Sequence, residues 1–180
     1  MCSSDLSYGA AVATAAALSS EAIVVNSFSK YFSMTGWRLG WLLLPEDLLE
    51  PVERLAQNLV ICPTTLAQHA ALRAFDATAE LDGHVARYRE NRAVLLEGLP
   101  AAGLSEFAPA DGAFYVYADV SGLGVGSTEL CRRWLAELDV ATTPGIDFDP
   151  VRGENTVRFS FAGATADIIE AVSRLARWSP

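Results

Sequence analysis

The chain has 180 residues, 51% of them hydrophobic, and a formal net charge of -9. This apolar content excludes an intrinsically disordered segment, and the length is enough for one or two compact domains. The acidic balance argues against a nucleic-acid or anionic-membrane surface, because either surface needs clustered Lys and Arg.

Two short apolar runs near the start of the chain predict buried strands. Residues 22–26 form a β-branched run, and residues 37–44 form a second apolar run. The segment between them, residues 27–36, is polar and predicts a loop. Pro45 and the two acidic residues after it then predict the start of a helix that continues to Leu59.

Two further helices are predicted in the middle of the chain. Thr64 or Thr65 is placed to cap a helix that ends near Phe75. A longer helix is predicted over residues 77–99, because apolar side chains recur there at three- to four-residue spacing: Leu81, Val85, Tyr88, Leu95 and Leu96.

Strands and helices alternate in the rest of the chain. The pattern predicts a strand over 113–120, a helix over 127–138, a strand over 156–161 and a last helix from Thr165. The last helix is expected to bury apolar residues on one side: Ile168, Ile169, Val172 and Leu175. This alternation predicts an α/β fold class, with the long helix as the seam between two parts.

The cysteines and histidines show no ligand or disulfide spacing. Cys2, Cys62 and Cys131 are odd in number and far apart, so they are expected to be reduced and half-buried. His69 and His84 are too far apart for a ligand pair, so no metal site is predicted. No apolar segment is long enough to span a bilayer and no targeting segment is visible, so a cytoplasmic location is expected.

The polar loop contains the only lysine of the chain. Of the 13 basic residues, Lys30 alone carries an amine, which forms a Schiff base with an aldehyde where a guanidinium does not. Ser27 and Arg38 flank it and are suited to bind a phosphate through charge-assisted hydrogen bonds. The loop therefore predicts a site for pyridoxal phosphate, against the alternative of an ordinary solvated loop lysine.

The residues around this lysine carry a recognisable signature. The pattern is Ser27-x-x-Lys30 followed by Thr35-Gly36-Trp37-Arg38-x-Gly40. It resembles the cofactor-lysine signature of class I aminotransferases, the aspartate aminotransferase-like group of fold-type I pyridoxal-phosphate enzymes. Shorter matches follow later in the chain at Gly112-Ala113-Phe114-Tyr115, Pro144-Gly145 and Val157-Arg158-Phe159-Ser160-Phe161.

The resemblance implies a role for each candidate site residue. Lys30 would be the Schiff-base lysine and proton shuttle, Arg38 and Ser27 would bind the cofactor phosphate, and Arg158 would bind the α-carboxylate of the substrate. For Arg158 the residues themselves leave an alternative open, a salt bridge at the rim with one of three acids: Asp147, Asp149 or Glu154. The aromatic residues of the signature region are interpreted as packing rather than cofactor stacking: Tyr31, Phe32, Trp37 and Trp41.

The resemblance also predicts how much of the family's architecture the chain contains. Residues 1–76 would be the end of the large cofactor-binding domain, 77–99 a connecting helix, and 100–180 the small C-terminal α/β domain. The segment Asp5-Leu6-Ser7-Tyr8 imitates the family's Asp-x-x-Tyr, but it lies too close to Lys30. The N-terminal half is therefore expected to be missing, and the chain alone is expected to transaminate poorly or not at all.

The activity implied by the resemblance is amino-group transfer between an L-amino acid and a 2-oxo acid, carried out by a homodimer. A β-lyase or synthase of the same fold remains an alternative, because both chemistries begin with loss of the same α-proton. A non-catalytic fragment that acts as a pairing module is a third hypothesis. The turn at Pro63-Thr64-Thr65 is a candidate contribution to a partner's pocket.

Overall fold

A computed structural model describes residues 6–9 and 11–179 of the chain. The chain divides into two compact units, residues 1–85 and 86–180, and the division falls within the longest helix. The predictions for Cys2 and Asp5 lie outside the described residues. Within those residues, no helix is both long and apolar enough to cross a membrane.

The first unit contains an antiparallel pair of strands followed by helices. The pairing places Ser27 opposite Gly40, so the two strands are joined by the loop that carries Lys30. The strands are β1 (Val24–Ser27) and β2 (Gly40–Leu43), and the helices are α1 (Glu46–Leu59), α2 (Thr65–Ala74) and α3 (Thr78–Gly98). All five elements match predicted ones, with the second strand starting three residues later than expected.

The prediction that both strands are buried is wrong for this chain. Val25 is 74% exposed, and Leu42 and Leu43 are each 46% exposed. Within the described residues β1 and β2 pair only with each other, and these three side chains are not covered by another layer. An apolar run predicts the strand correctly, but burial depends on which layers cover it.

The core of the first unit lies directly beneath the lysine loop. Phe28 and Met34, one on each side of Lys30 in sequence, are both 7% exposed and pack with Ala71 of α2. Further side chains join this cluster with part of their surface: Phe32, Leu39, Trp41, Ala70 and Ala74. The loop is therefore anchored by apolar side chains at both of its ends.

The second unit contains a three-stranded sheet and two more helices. Its elements are β3 (Tyr115–Asp119), α4 (Ser127–Leu138), β4 (Thr143–Pro144), β5 (Thr156–Ser160) and α5 (Thr165–Leu175). The strand order is β3-β5-β4 and every pairing is antiparallel, so β5 lies in the centre. Short 3-10 turns occur in both units. Those of the first unit are Ala15–Ala17 and Thr35–Trp37, and those of the second are Leu99–Ala102, Ser121–Leu123, Gly145–Asp147 and Gly153–Asn155.

The alternation along β5 separates a core face from an open face. Val157 is fully buried and Phe159 is 3% exposed, and the ring of Phe159 lies 5.7 Å from that of Trp134 on α4. Arg158, between them in sequence, points to the opposite face because successive strand residues alternate. The sheet thus presents the arginine on the side away from the core.

Two further burial predictions need correction. On α5, Ile168 and Leu175 are buried but Ile169 is 53% exposed, because residues adjacent in sequence lie about 100° apart around a helix. The cysteines are not uniformly half-buried: Cys62 is exposed and Cys131 is buried.

Candidate functional site

The lysine loop, residues 28–39, is closed at its base by strand pairing. Beyond the Ser27–Gly40 pair, the amide of Phe28 donates a hydrogen bond of 3.1 Å to the carbonyl of Leu39. A Cβ at Gly40 would lie 2.5 Å from the carbonyl oxygen of Asn26. The glycine of the signature is therefore required by the close approach of β1 to β2.

Two serine hydroxyls lie immediately before the lysine. Ser27 Oγ accepts a hydrogen bond from the amide of Ser29 at 3.0 Å and donates one to Ser29 Oγ at 2.8 Å. Lys30 is half-buried, and its carbonyl accepts a hydrogen bond of 3.0 Å from the amide of Ser33. The strand end and the following turn thus place hydroxyl groups beside the amine-bearing residue.

Arg38 is positioned by a left-handed backbone conformation at the end of the loop. Its φ is 54°, and its Nη1 donates to the carbonyl of Thr35 at 3.0 Å. Thr35 Oγ1 in turn donates to the carbonyl of Ser29 at 2.6 Å, which ties the two ends of the signature together. Among the described residues Arg38 forms no ion pair, so its positive charge is available to an anion.

The loop is also attached to the first turns of α3. Tyr31 Oη donates to Asp82 Oδ1 at 2.7 Å, and Ser33 Oγ shares a hydrogen bond of 3.0 Å with His84 Nδ1. These partners are 51 residues apart in sequence, and no motif signals them. Sequence reasoning therefore missed both attachments.

The aromatic residues around Lys30 form a packed cluster, as the sequence predicts. The ring of Phe28 lies 4.9 Å from those of both Phe32 and Trp41, and Tyr31 contacts Phe32 edge-on at 5.1 Å. Trp37 is different, because it is 43% exposed.

Arg158 lies in the centre of the second unit's sheet. It pairs with Tyr117 on β3 and with Thr143 on β4, and its Nη2 donates to Thr143 Oγ1 at 3.2 Å. Its Nε is buried and has no hydrogen-bond partner. The side chain keeps the donors of Nη1 and one donor of Nη2 for a ligand that carries negative charge.

The rim salt bridge considered for Arg158 is wrong. Within residues 6–9 and 11–179, no acid forms an ion pair with Arg158. Asp149 bonds instead to Arg152, with Arg152 Nε donating to Asp149 Oδ2 at 3.2 Å. The structure therefore leaves the guanidinium charge of Arg158 uncompensated by protein carboxylates in the described chain.

Two aromatic rings enclose the guanidinium of Arg158. Its Cζ lies 4.6 Å from the ring centre of Phe148 and 5.5 Å from that of Tyr115. We call Arg158, Tyr115, Thr143 and Phe148 the arginine face. The alternation of β3 gives a signal for Tyr115, which lies on the same side of the sheet as Arg158, whereas no sequence pattern points to Phe148.

The loop that carries Phe148 is fixed by its own polar contacts. Asp149 Oδ1 accepts hydrogen bonds from the amides of Val151 at 2.9 Å and Arg152 at 3.1 Å. These amides, first that of Arg152, hold the pKa of the Asp149 carboxyl below its usual value. A Cβ at Gly153 would lie 2.4 Å from the carbonyl carbon of Gly145, so the two ends of this loop approach as closely as only glycine permits.

The predicted residues therefore fall into two groups. Ser27, Lys30 and Arg38 share one loop of the first unit, and Arg158 belongs to the sheet of the second. The first group offers an amine, a guanidinium that forms no ion pair with the described residues, and serine hydroxyls, which is the donor set that a phosphorylated aldehyde requires.

Known proteins resemble the chain over nearly its whole length. A family model described as "Aminotransferase class I and II" matches residues 1–175. Valine–pyruvate aminotransferase of Mycobacterium tuberculosis is 54% identical over 164 residues, which cover 90% of this chain and 42% of that protein. The chain thus spans less than half the length of this relative.

Solved structures agree with the sequence matches. The crystal structure of an aminotransferase from Mycobacterium tuberculosis superposes with a TM-score of 0.94 at 52% identity, covering 98% of this chain and 46% of that one. A mutant of aspartate aminotransferase from Thermus thermophilus gives a TM-score of 0.85 at 32% identity, covering 96% and 47%. The predicted fold class, the end of the large fold-type I domain with the small α/β domain, is confirmed.

Proposed function

Because the chain belongs to the class I and II aminotransferase family, we propose that its protein transfers amino groups between L-amino acids and 2-oxo acids with pyridoxal phosphate as cofactor. The observation that carries the proposal is the lysine loop. It brings serine hydroxyls and an Arg38 without an ion pair among the described residues into the signature around the chain's only lysine.

Lys30 supplies the amine for the reaction. Bound pyridoxal phosphate provides the electron sink that allows the substrate's α-proton to leave. Lys30 Nζ would hold the cofactor through its aldehyde group. Once freed from the cofactor, the same amine would accept and return the proton of the substrate's α-carbon, a general acid–base role that contributes roughly 10²–10⁴-fold.

Arg38 and Ser27 bind the cofactor phosphate in this proposal. Arg38 uses one N–H on the carbonyl of Thr35 and retains donors for phosphate oxygens. Ser27 already donates to Ser29 Oγ, so on binding an anion its hydroxyl rotates away from Ser29. The hydrogen bond from Thr35 Oγ1 to the carbonyl of Ser29 links the segment next to Ser27 with the segment next to Arg38.

Arg158 binds the α-carboxylate of the substrate. A planar guanidinium binds a carboxylate through parallel hydrogen bonds, and Arg158 has no internal acid to compete for it among the described residues. The relative from Mycobacterium tuberculosis is named valine–pyruvate aminotransferase, so valine and pyruvate are the first substrate pair to test. We include a homodimer in the proposal, with Pro63, Thr64 and Thr65 as the candidate contribution to the partner's pocket.

The test uses the fact that the chain contains only one lysine. The purified chain is mixed with pyridoxal phosphate, reduced with borohydride and mapped by peptide mass. The N-terminal amine is the only other primary amine and serves as an internal reference. We expect labelling at Lys30 well above that at the N-terminus, and loss of this label in Lys30→Arg. Equal labelling of the two amines would contradict the proposal.

A second arm tests the phosphate ligands. Arg38→Gln is expected to reduce labelling at Lys30 by pyridoxal phosphate but not by pyridoxal, which lacks the phosphate. Arg54→Gln is the matched control, because Arg54 lies on an exposed face of α1 and pairs only with Glu50 among the described residues. An equal effect of Arg38→Gln on both aldehydes would remove Arg38 from the phosphate site.

A further inference from the structure

We infer that Phe148 is a positioning residue for Arg158, covering one face of the guanidinium so that its two Nη groups receive the substrate's carboxylate end-on. The inference rests on the proposed role of Arg158 and adds a residue that lies outside the matching segments given under Sequence analysis. Phe148 is not a catalytic residue in this account, since it acts through Arg158.

The hydrogen bonds of Arg158 restrict where a carboxylate is able to bind. An arginine donates from Nε, Nη1 and Nη2. Nε is buried without a partner, and one donor of Nη2 is used by Thr143 Oγ1 at 3.2 Å. Both donors of Nη1 and one donor of Nη2 remain, and these two nitrogens form the outer end of the side chain, where a guanidinium binds a carboxylate end-on.

The rings of Phe148 and Tyr115 both lie close to that group. The ring centre of Phe148 lies 4.6 Å from Arg158 Cζ, closer than the 5.5 Å to Tyr115. Aromatic rings attract a cation over their faces and exclude water from it, and this effect grows as the cation is desolvated. A guanidinium held in this way is already oriented for a carboxylate, so less conformational entropy is lost when the carboxylate binds.

Phe148 keeps its place although 51% of it is exposed. Its ring makes an edge contact of 6.5 Å with Tyr117, and the next residue, Asp149, closes the loop through the amides of Val151 and Arg152. A large apolar side chain that is half-exposed and stacked on an arginine without an ion pair in the described chain contributes little to a core. Its position is explained by the arginine that it covers.

The test measures carboxylate binding by the full chain without cofactor. In the ¹⁵N-labelled protein, the Nε–H resonance of Arg158, assigned by its loss in Arg158→Lys, is followed during titration with sodium 3-methyl-2-oxobutanoate. The variants are Phe148→Leu, which removes the ring, and Phe148→Tyr, which retains it. Ile146→Ala is the control, because Ile146 lies in the same loop and is 39% exposed.

We expect Phe148→Leu to weaken binding about two- to fivefold, the range of a partly exposed cation–ring contact. Phe148→Tyr and Ile146→Ala should bind as the parent does. Thr143→Val, a second variant at the other side of the guanidinium, should also weaken binding. In Phe148→Leu the Nε–H resonance should shift even without ligand, because the ring field is lost.

The possible results distinguish the role of Phe148 from the role of Arg158. Unchanged affinity in Phe148→Leu, with binding lost in Arg158→Lys, overturns the role of Phe148 and leaves that of Arg158 intact. Unchanged affinity in Arg158→Lys, or no response of the parent chain to the 2-oxo acid, overturns the carboxylate role of Arg158 itself.

Discussion

The lysine loop is one continuous stretch of sequence, whereas the arginine face collects side chains from three separate segments. In the loop, residues 28–39 are fixed by contacts between near neighbours, such as Thr35 Oγ1 to the carbonyl of Ser29. In the arginine face, Tyr115 comes from β3, Thr143 and Phe148 come from β4 and the loop after it, and Arg158 comes from β5. The loop therefore depends on local geometry, and the arginine face depends on the register of a sheet.

The largest expected effect comes from glycines that allow close backbone approach. Gly153→Ala should destabilise the β3–β5–β4 sheet by about 3 kcal/mol, because overpacking against backbone has no flexible neighbour to relieve it. A Cβ at Gly153 would lie 2.4 Å from the carbonyl carbon of Gly145. Amide hydrogen exchange should show lower protection in β5 and unchanged protection in β1.

Gly40→Ala is expected to do the reverse, lowering protection in β1 and β2 only, because its Cβ would meet the carbonyl of Asn26 at 2.5 Å. Gly122→Ala is the neutral control, since a Cβ there meets nothing within 4 Å. Equal loss of protection in both regions in either variant would contradict this prediction.

Thiol reactivity should distinguish the two units next. Cys62 is exposed in the first unit, whereas Cys131 is buried in the second and burial raises the pKa of its thiol. The thiolate is the reactive form, so in a Cys2→Ser background Cys62 should react with iodoacetamide at least about tenfold faster than Cys131. Mass spectrometry of the two peptides over time measures both rates, and comparable rates would show that the second unit opens freely.

A smaller effect is expected from Thr35→Val in the lysine loop. The change removes the hydroxyl that donates to the carbonyl of Ser29 at 2.6 Å, and the loss of one such hydrogen bond costs about 1 kcal/mol. Amides of Ser33 and Met34 should then exchange faster. Thr128→Val, at an exposed position on α4, is the control and should leave these amides unchanged.

The smallest expected effect is a dependence on pH near Asp149. Its folded-state pKa lies below the ordinary value of about 3.9, so the stabilisation is present above that pH and is lost as the pH falls through the lower folded value. The amide resonances of Val151 and Arg152 should therefore move on acidification below about pH 4. Asp149→Asn retains an acceptor but no titrating charge, so its amides should not respond.

The contrast between the lysine loop and the arginine face also explains which site residues the sequence alone predicts. Lys30, Ser27 and Arg38 stand in a fixed order within one short segment, so a signature predicts them as a group. Arg158 is likewise predicted from its flanking residues. Phe148 and the attachments of Tyr31 and Ser33 to α3 depend on chain segments that are distant in sequence, and a single sequence carries no signal for them.

For β1 and β2, the sequence predicts the presence of the strands correctly but not their burial. The apolar runs of β1 and β2 predict extended structure through local preference, and that prediction is confirmed. The burial of Val25 and Leu43 depends on covering layers, which local pattern does not specify, and this prediction was wrong. Ile169 illustrates the same limit on a helix, where a step of one residue turns an apolar side chain from the core to solvent.

The central place of β5 sets an order of events on heating. A strand bonded on both sides is released only when the whole sheet melts, while a two-stranded ribbon frays from its open edges. Warming should therefore loosen the surroundings of the amine at a temperature where the guanidinium is still fixed. Under the roles proposed for Arg158 and Lys30, a partly melted molecule would still bind acids after it had lost its hold on an aldehyde.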